Sequence, residues 1–355
     1  MFGKMRKIQK IILFTVYCSL FVLMTACDKV SPIGVLVSGT GVEDRVKMSH
    51  SYYMEHKGDL KDHSAIDKDE YTFLVGADSH LTTDDGRMRE MLQIGLDNDD
   101  LLYAHLGDIA DTKAEYYIIL EDLIDEYRLK YAYKYYNKIY IGDEDEDTDD
   151  DPYSYLYEDP VSETKYTLDN VPLPFYPVVG NHDITHNGWA LWSNIFHSSF
   201  YDVYVTVSID DVITLDHFIF LDSASGTLGE EQVKLIEAGV LDVKSLNDFI
   251  RVRNTFVFSH TNIFRPRSVE FASTFPREEM FFLLNQFDKW NANIVFLGHV
   301  HKWDYQKNGN IEYLTLDSMC EANNPEPGDY LVRVHVRKDG TISWERVHME
   351  YTPNN

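Results

Sequence analysis

Short apolar runs recur from residue 71 onward, at 72–77, 101–106, 175–179, 218–221, 255–258 and 294–297, and polar residues capable of chemistry follow most of them. Runs this short and rich in Val, Ile, Leu and Phe fit buried strands, although periodicity by itself does not separate them from buried helix turns. Longer stretches with helical spacing intervene at 87–96, 114–139, 230–238 and 277–290. Strands alternating with helices predict an α/β fold, a sheet with helices packed outside it. The C-terminal end differs: residues 331–336 alternate, and Lys338-Asp339-Gly340 separates them from Thr341-Ile342-Ser343-Trp344, the pattern of a hairpin that closes a sheet.

The N-terminal end has another origin. Lys4, Arg6, Lys7 and Lys10 precede an apolar stretch over 11–23, and Met24-Thr25-Ala26-Cys27 follows. A basic start, an apolar middle and small residues before a cysteine read as a lipoprotein signal peptide over 1–26, with Cys27 carrying the lipid. Residues 11–26 fall short of the roughly 20 that a spanning helix needs, so an uncleaved anchor is the second choice. This reading places the protein in a bacterial cell envelope, held on a membrane and facing the periplasm or the exterior. Residues 27–70 then form a tether and N-terminal extension, with a short strand at 35–37 and a helix at 46–56. The main domain runs over 71–350 with an insertion at about 121–170.

Composition narrows the partners. With 44% apolar and 14% aromatic residues the 355-residue chain can bury a sizeable core. Its formal charge is -27, and losing residues 1–26, which carry four basic side chains and no acid, takes it to -31. So acidic a surface repels polyanions, which makes nucleic acid an unlikely main partner unless a basic or metal-rich cleft overrides the field. Small phosphorylated molecules stay open. Cys18 lies in the apolar leader and Cys27 takes the lipid, leaving Cys320 as a small buried residue and no intrachain disulfide.

The insertion carries two unusual patterns. Leu120, Leu123, Ile124, Tyr127 and Tyr131 recur at three- and four-residue spacing, which predicts the buried face of a helix; a stacking platform for sugars or bases is the sharper alternative. Over 143–151 eight of nine residues are acidic, and Asp147, Asp149, Asp151 and Glu158 match positions 1, 3, 5 and 12 of a calcium loop. Position 6, which needs positive φ, is Pro152, so a solvated acidic loop is the better reading.

Five polar clusters carry the candidate chemistry: Asp78-Ser79-His80, Gly107-Asp108-Ile109-Ala110-Asp111, Gly180-Asn181-His182-Asp183, Ser259-His260 and Gly298-His299-Val300-His301. In an α/β sheet the carboxyl ends of strands share one edge, so these clusters converge on one crevice. Asp, Asn and His without thiolate suit Zn, Mn or Fe. Alternate residues on extended backbone point to one side, which makes Asp78/His80 and His299/His301 pincers. Glycines before the candidate ligands fit tight turns or close backbone approach.

In this order the blocks D-x-H, G-D-x-x-D, G-N-H-D, H and G-H-x-H resemble the calcineurin-like metallophosphoesterases, over roughly residue 71 to the C-terminal hairpin. The resemblance implies a four-layer αββα sandwich, two mixed sheets flanked by helices. It implies that Asp78, His80 and His301 hold one metal ion, that Asn181, His260 and His299 hold another, and that Asp108 bridges them. His182 and Asp183 would be the catalytic pair, His182 stabilising the phosphate or protonating the leaving oxygen and Asp183 orienting it, with Asp111 orienting a ligand histidine. The expected activity is hydrolysis of a phosphate monoester or diester by a metal-bridging hydroxide, since two cations neutralise phosphate oxygens and lower the pKa of a water between them. Mn, Fe and Zn all remain compatible; Asp111 stands where purple acid phosphatases place a tyrosine ligand, so no iron-tyrosinate colour is expected. Arg265 and Arg267 are candidates for a substrate phosphate, and His186 and His197 for the cleft wall. The competing reading is a non-catalytic surface lipoprotein that binds glycan or another ligand.

Overall fold

The computed structural model describes residues 41–56, 63–141, 151–209, 212–242, 251–264 and 275–351. The chain begins with α1 (Val42–His56), β1 (His63–Ser64), β2 (Glu70–Gly76), α2 (Gly86–Asp97), β3 (Leu102–His105), α3 (Ala114–Tyr135) and β4 (Asn137–Tyr140). It continues through β5 (Tyr155–Glu158), β6 (Lys165–Tyr166), β7 (Phe175–Pro177), α4 (Gly188–Phe196), β8 (Tyr201–Ile209), β9 (Val212–Leu221) and α5 (Gly229–Glu237). The last third supplies β10 (Arg251–Ser259), α6 (Arg277–Lys289), β11 (Ile294–Leu297), β12 (Asp304–Asn308), β13 (Ile311–Thr315), β14 (Gly328–Arg337) and β15 (Ile342–Met349).

Two mixed sheets result, one in the order β15-β14-β2-β3-β7 and one in the order β1-β8-β9-β10-β11-β13-β12. Side chains alternate between the two faces of a strand, and here both faces are buried. Phe73 and Val75 of β2 meet Phe218, Phe220, Phe256, Phe258 and Phe296 of the other sheet in a central core, with the Phe73 ring 4.9 Å from that of Phe256. Leu74 points the other way, into a layer with Met88, Met91, Leu120, Leu123 and Trp192 of α2, α3 and α4. Ile219, Leu221, Val257 and Val295 likewise face Val46, Ile236, Leu283 and Phe287 of α1, α5 and α6. The architecture is therefore the expected αββα sandwich, and burial on both faces explains why its central strands read as unbroken apolar runs.

Several expectations shift. The helix expected over 114–139 stops at Tyr135, and Ile139 instead pairs with Leu156 in a small three-stranded sheet, β4-β5-β6. Pairing with β5 overrides the helical spacing there. Tyr127 is buried and Tyr131 packs against the helix layer, so the aromatic stripe of the insertion is core and not a stacking platform. The closing hairpin forms as β14 against β15, with Gly340 at φ 86° in its turn. Strands β8 and β12 and helix α4 were not expected. Helix α1 starts at Val42, earlier than expected, and packs Val42 and Val46 into the outer core. Cys320 is buried, as expected. The strand expected at 35–37, Cys27, acids 143–150, Arg265 and Arg267 lie outside the described residues. Among the described residues no helix is long and apolar enough to cross a membrane.

Candidate metal centre

Strands β2, β3 and β7 of one sheet and β10 and β11 of the other run their carboxyl ends to a common edge, and each is followed by one of the five polar clusters. Backbone bonds stitch the clusters together: Asp78 N donates to Gly107 O (3.1 Å), His80 N to Asp108 O (2.9 Å) and Gly298 N to His260 O (3.0 Å). Two glycines make this possible. Gly107 holds φ 87°, and a Cβ on Gly180 would lie 2.1 Å from Asp108 N. Asp78, His80, Asp108, His299 and His301 themselves sit at φ between 44° and 70°. Left-handed backbone is costly for such residues and persists only where surrounding contacts over-determine it.

The seven candidate ligands gather into two groups. His80 Nε2 lies 3.3 Å from His301 Nε2, which is 3.4 Å from Asp78 Oδ1. His260 Nε2 lies 2.8 Å from Asn181 Oδ1 and 3.1 Å from His299 Nδ1. Asp108 Oδ2 faces both groups, 3.8 Å from His80 Nε2 and 3.5 Å from His260 Nε2. These separations are close to those of ligands on shared cations, since donors about 2.1 Å from one ion lie roughly 3.0 to 3.4 Å from one another; the Asn181–His260 pair is a little closer and the two Asp108 distances a little longer. The protons agree. His260 Nδ1 is 2.7 Å from the Leu106 carbonyl and donates to it, so in the neutral ring the lone pair on Nε2 faces the Asn181 oxygen. Asp78, His80, Asp108 and His301, and Asp108, His260 and His299, are each grouped closely enough to hold an ion.

Of the flanking carboxylates, Asp111 takes the role expected of Asp183 and stays beside a candidate ligand histidine as well. Asp111, not Asp183, meets the His182 ring, with Oδ1 3.1 Å from Nδ1, and it stands 3.9 Å from His80 Nδ1. Asp183 is fully buried. It accepts backbone N–H bonds from Asp108 (2.9 Å), Gly180 (2.8 Å) and Ile109 (3.1 Å), and the Tyr117 hydroxyl donates to it (3.1 Å). Consecutive N–H groups in a tight turn form an anion-binding nest, and Asp183 fills it. It is therefore a positioning residue rather than the catalytic group expected. Tyr117 was missed, because one tyrosine on a helix gives no sequence signal.

Electrostatics follow from the crowding. The His182 and His80 rings hold Asp111 well below the usual carboxylate range. Burial opposes charge on His182, but Asp108 and Asp111 outweigh it and push the imidazole up to about 9. Burial, with the Asp108 charge beside it, pushes Asp183 up to about 6.

The remaining candidates fall outside the centre. His186 is exposed in a left-handed turn. His197 stacks on Tyr52 at 4.7 Å and lines a cavity of about 360 Å³ with Tyr53, Phe196 and Tyr201, which none of the seven candidate ligands lines. The pincer idea also needs amendment: His299 and His301 face different groups, because turns and not extended strands carry them.

Fold and donor set together define a two-sheet α/β protein with a candidate dinuclear metal centre, as the resemblance to calcineurin-like metallophosphoesterases implied. No family model and no curated protein matches the chain. Among solved structures it is similar to a dimetal phosphatase from Danio rerio, at 12% identity and TM-score 0.47, covering 79% of this chain and 99% of that one. It is also similar to the anchor in the inner membrane complex of Plasmodium, at 10% identity and TM-score 0.45, covering 80% and 90%. A putative 5'-nucleotidase from Staphylococcus aureus matches at 12% identity and TM-score 0.41, covering 81% of this chain and 55% of that one. The geometry of the site, and not these distant likenesses, supports a functional reading.

Proposed function

We propose that the protein is a metal-dependent phosphoesterase that hydrolyses a phosphate monoester or diester outside the cytoplasm, tethered to a bacterial membrane by a lipid on Cys27. One observation carries the catalytic part: six oxygen and imidazole donors from four other chain segments meet around a seventh, Asp108 Oδ2, at separations that suit two ions. A pair of Mn, Fe or Zn ions held there would neutralise phosphate oxygens and lower the pKa of a water between them. Asp78, His80 and His301 would hold one ion, Asn181, His260 and His299 the other, with Asp108 shared.

His182 does the protein's own part of the chemistry. Its backbone N–H donates to Asp108 Oδ1 (2.7 Å), which ties it to the rim of the centre. Asp111 on Nδ1 fixes the ring and keeps a proton there, leaving Nε2 to hydrogen-bond a phosphate oxygen or protonate the leaving oxygen. The glycan-binding alternative loses its platform, since Tyr127 is buried and Tyr131 packs into the helix layer.

Residues 28–355, loaded separately with Mn, Zn and Fe, would be assayed on p-nitrophenyl phosphate, bis(p-nitrophenyl) phosphate and pyrophosphate. Hydrolysis of one of the first two is expected. Full metal occupancy with no turnover of any substrate would refute the catalytic reading, and a protein recovered without lipid from bacterial membranes would refute the tether.

A further inference from the structure

Helix α1 is joined to the rest of the molecule through a polar stripe. Arg45, Ser49 and Tyr53, four residues apart, all face inward and are buried. Arg45 makes a two-point pair with buried Asp222, Nε to Oδ2 at 2.9 Å and Nη2 to Oδ1 at 2.8 Å, and also donates to Ser225 Oγ (3.1 Å). Ser49 meets Ser199 (3.0 Å), whose hydroxyl also reaches Asp222 (2.7 Å), and Tyr53 donates to Asp202 (2.5 Å). Burying an ion pair is often no more stabilising than packing apolar side chains in its place. Covering a sheet therefore does not account for the stripe, whereas holding the end of β9 in one position does.

The segment after Asp222 shows why that end must be held. Gln232 grips the Asp222 peptide from both sides, accepting from its N–H (3.0 Å) and donating to its carbonyl (2.7 Å). The next residue, Ser223, reaches across to β10. Its Oγ lies 2.9 Å from Ser259 Oγ and accepts from Thr261 N (3.0 Å), while its carbonyl accepts from Thr261 Oγ1 (2.6 Å). Ser259 and Thr261 flank His260. One buried serine thus clasps both neighbours of a candidate ligand, and the Arg45–Asp222 pair fixes that serine.

We propose that α1 belongs to the scaffold of the metal centre, with Ser223 and Arg45 as positioning residues that hold His260 in place for its ion. This rests on His260 being a ligand, not on the protein being a hydrolase. Orienting partners of a metal ligand are typically worth about 10- to 100-fold in metal affinity. The effect should fall on one ion only, because His260 faces Asn181 and His299 and not the His80 and His301 group.

Zinc affinity measured by competition with a chromophoric chelator, on the purified protein and alongside thermal unfolding, tests this. Ser223→Ala should weaken one of two zinc equivalents about 10-fold or more and leave the other unchanged. Arg45→Lys, which keeps the charge and loses the two-point geometry, should weaken the same equivalent less. Tyr53→Phe removes a bond of the same helix away from His260 and should lower stability while leaving both equivalents alone. If Ser223→Ala does not fold, Thr261→Val, which removes the Thr261 hydroxyl bond to Ser223, takes its place with the same expectation. Unchanged zinc affinity in the Ser223 and Arg45 variants, parallel weakening of both equivalents, or an equal loss in Tyr53→Phe would overturn the proposal. Because the readout is metal affinity, the outcome does not depend on whether any phosphate ester is hydrolysed.

Discussion

Replacing Asp183 by Asn should damage the metal centre without removing any candidate ligand. The two side chains have nearly the same shape, so packing is preserved and only the acceptors change. In the native site one carboxylate oxygen serves Asp108 N and Gly180 N, and the other serves Ile109 N and the Tyr117 hydroxyl. An amide can keep only one of these oxygens; with that oxygen on the two backbone N–H groups of Asp108 and Gly180, the NH₂ can donate to the Tyr117 hydroxyl, and the Ile109 N–H is left facing it without an acceptor. A buried donor left unpaired costs about 1–3 kcal/mol, against a typical domain stability of about 5–15 kcal/mol. The loss falls on the turns that carry Asp108 and Asn181, so metal affinity should drop as well, by about 10- to 100-fold. Urea unfolding followed by circular dichroism measures the first effect and zinc titration the second. A variant within about 0.5 kcal/mol of the parent, with normal zinc affinity, would show that the nest is not held as described. A fall in kcat with stability and metal binding intact would return Asp183 to a catalytic role.

His182→Ala should lower kcat by about 10²–10⁴, the range for a positioned acid, with two metal equivalents still bound; loss of metal in this variant would make His182 a ligand instead. Gly180→Ala places a Cβ 2.1 Å from Asp108 N and 2.2 Å from Asp108 Oδ1, so it should abolish metal binding, which metal analysis of the purified variant will show. Asp202 is held below the ordinary carboxylate value by the His217 partner, with Tyr204 and Tyr53 also lowering it, despite burial that raises it. Its folded-state pKa is thus below its unfolded one, so its stabilisation is complete above pH about 4 and is lost as pH falls through the folded value. Asp202→Asn should accordingly flatten the acid limb of a stability-versus-pH curve, and an unchanged acid limb would contradict that assignment.

Some strands were legible because both of their faces are buried. Phe73 and Leu74 point in opposite directions, yet each finds a core, so β2 reads as a solid apolar run. Strand β12 was illegible for the opposite reason: all five of its residues are exposed, and only pairing with β13 makes it a strand. In β8 the signal existed, since Tyr201, Val203, Val205 and Val207 alternate into the central core, but it is the alternating type and not the unbroken run that marked the other strands.

The candidate ligands were legible from local blocks, because a metal needs particular donor atoms and the turns that would present them need glycine at Gly107 and Gly180. Which carboxylate meets the His182 ring was decided elsewhere. Asp183 is adjacent to His182 in sequence and turned from its ring, while Asp111, far off along the chain, touches it. Neighbours along the chain share a backbone but not a direction once that backbone turns, as it does over residues 181–184. Sequence alone determined much of the strand–helix alternation and the set of candidate donors; only the packing of two sheets face to face, with α1 bolted across the second, decided where each donor points.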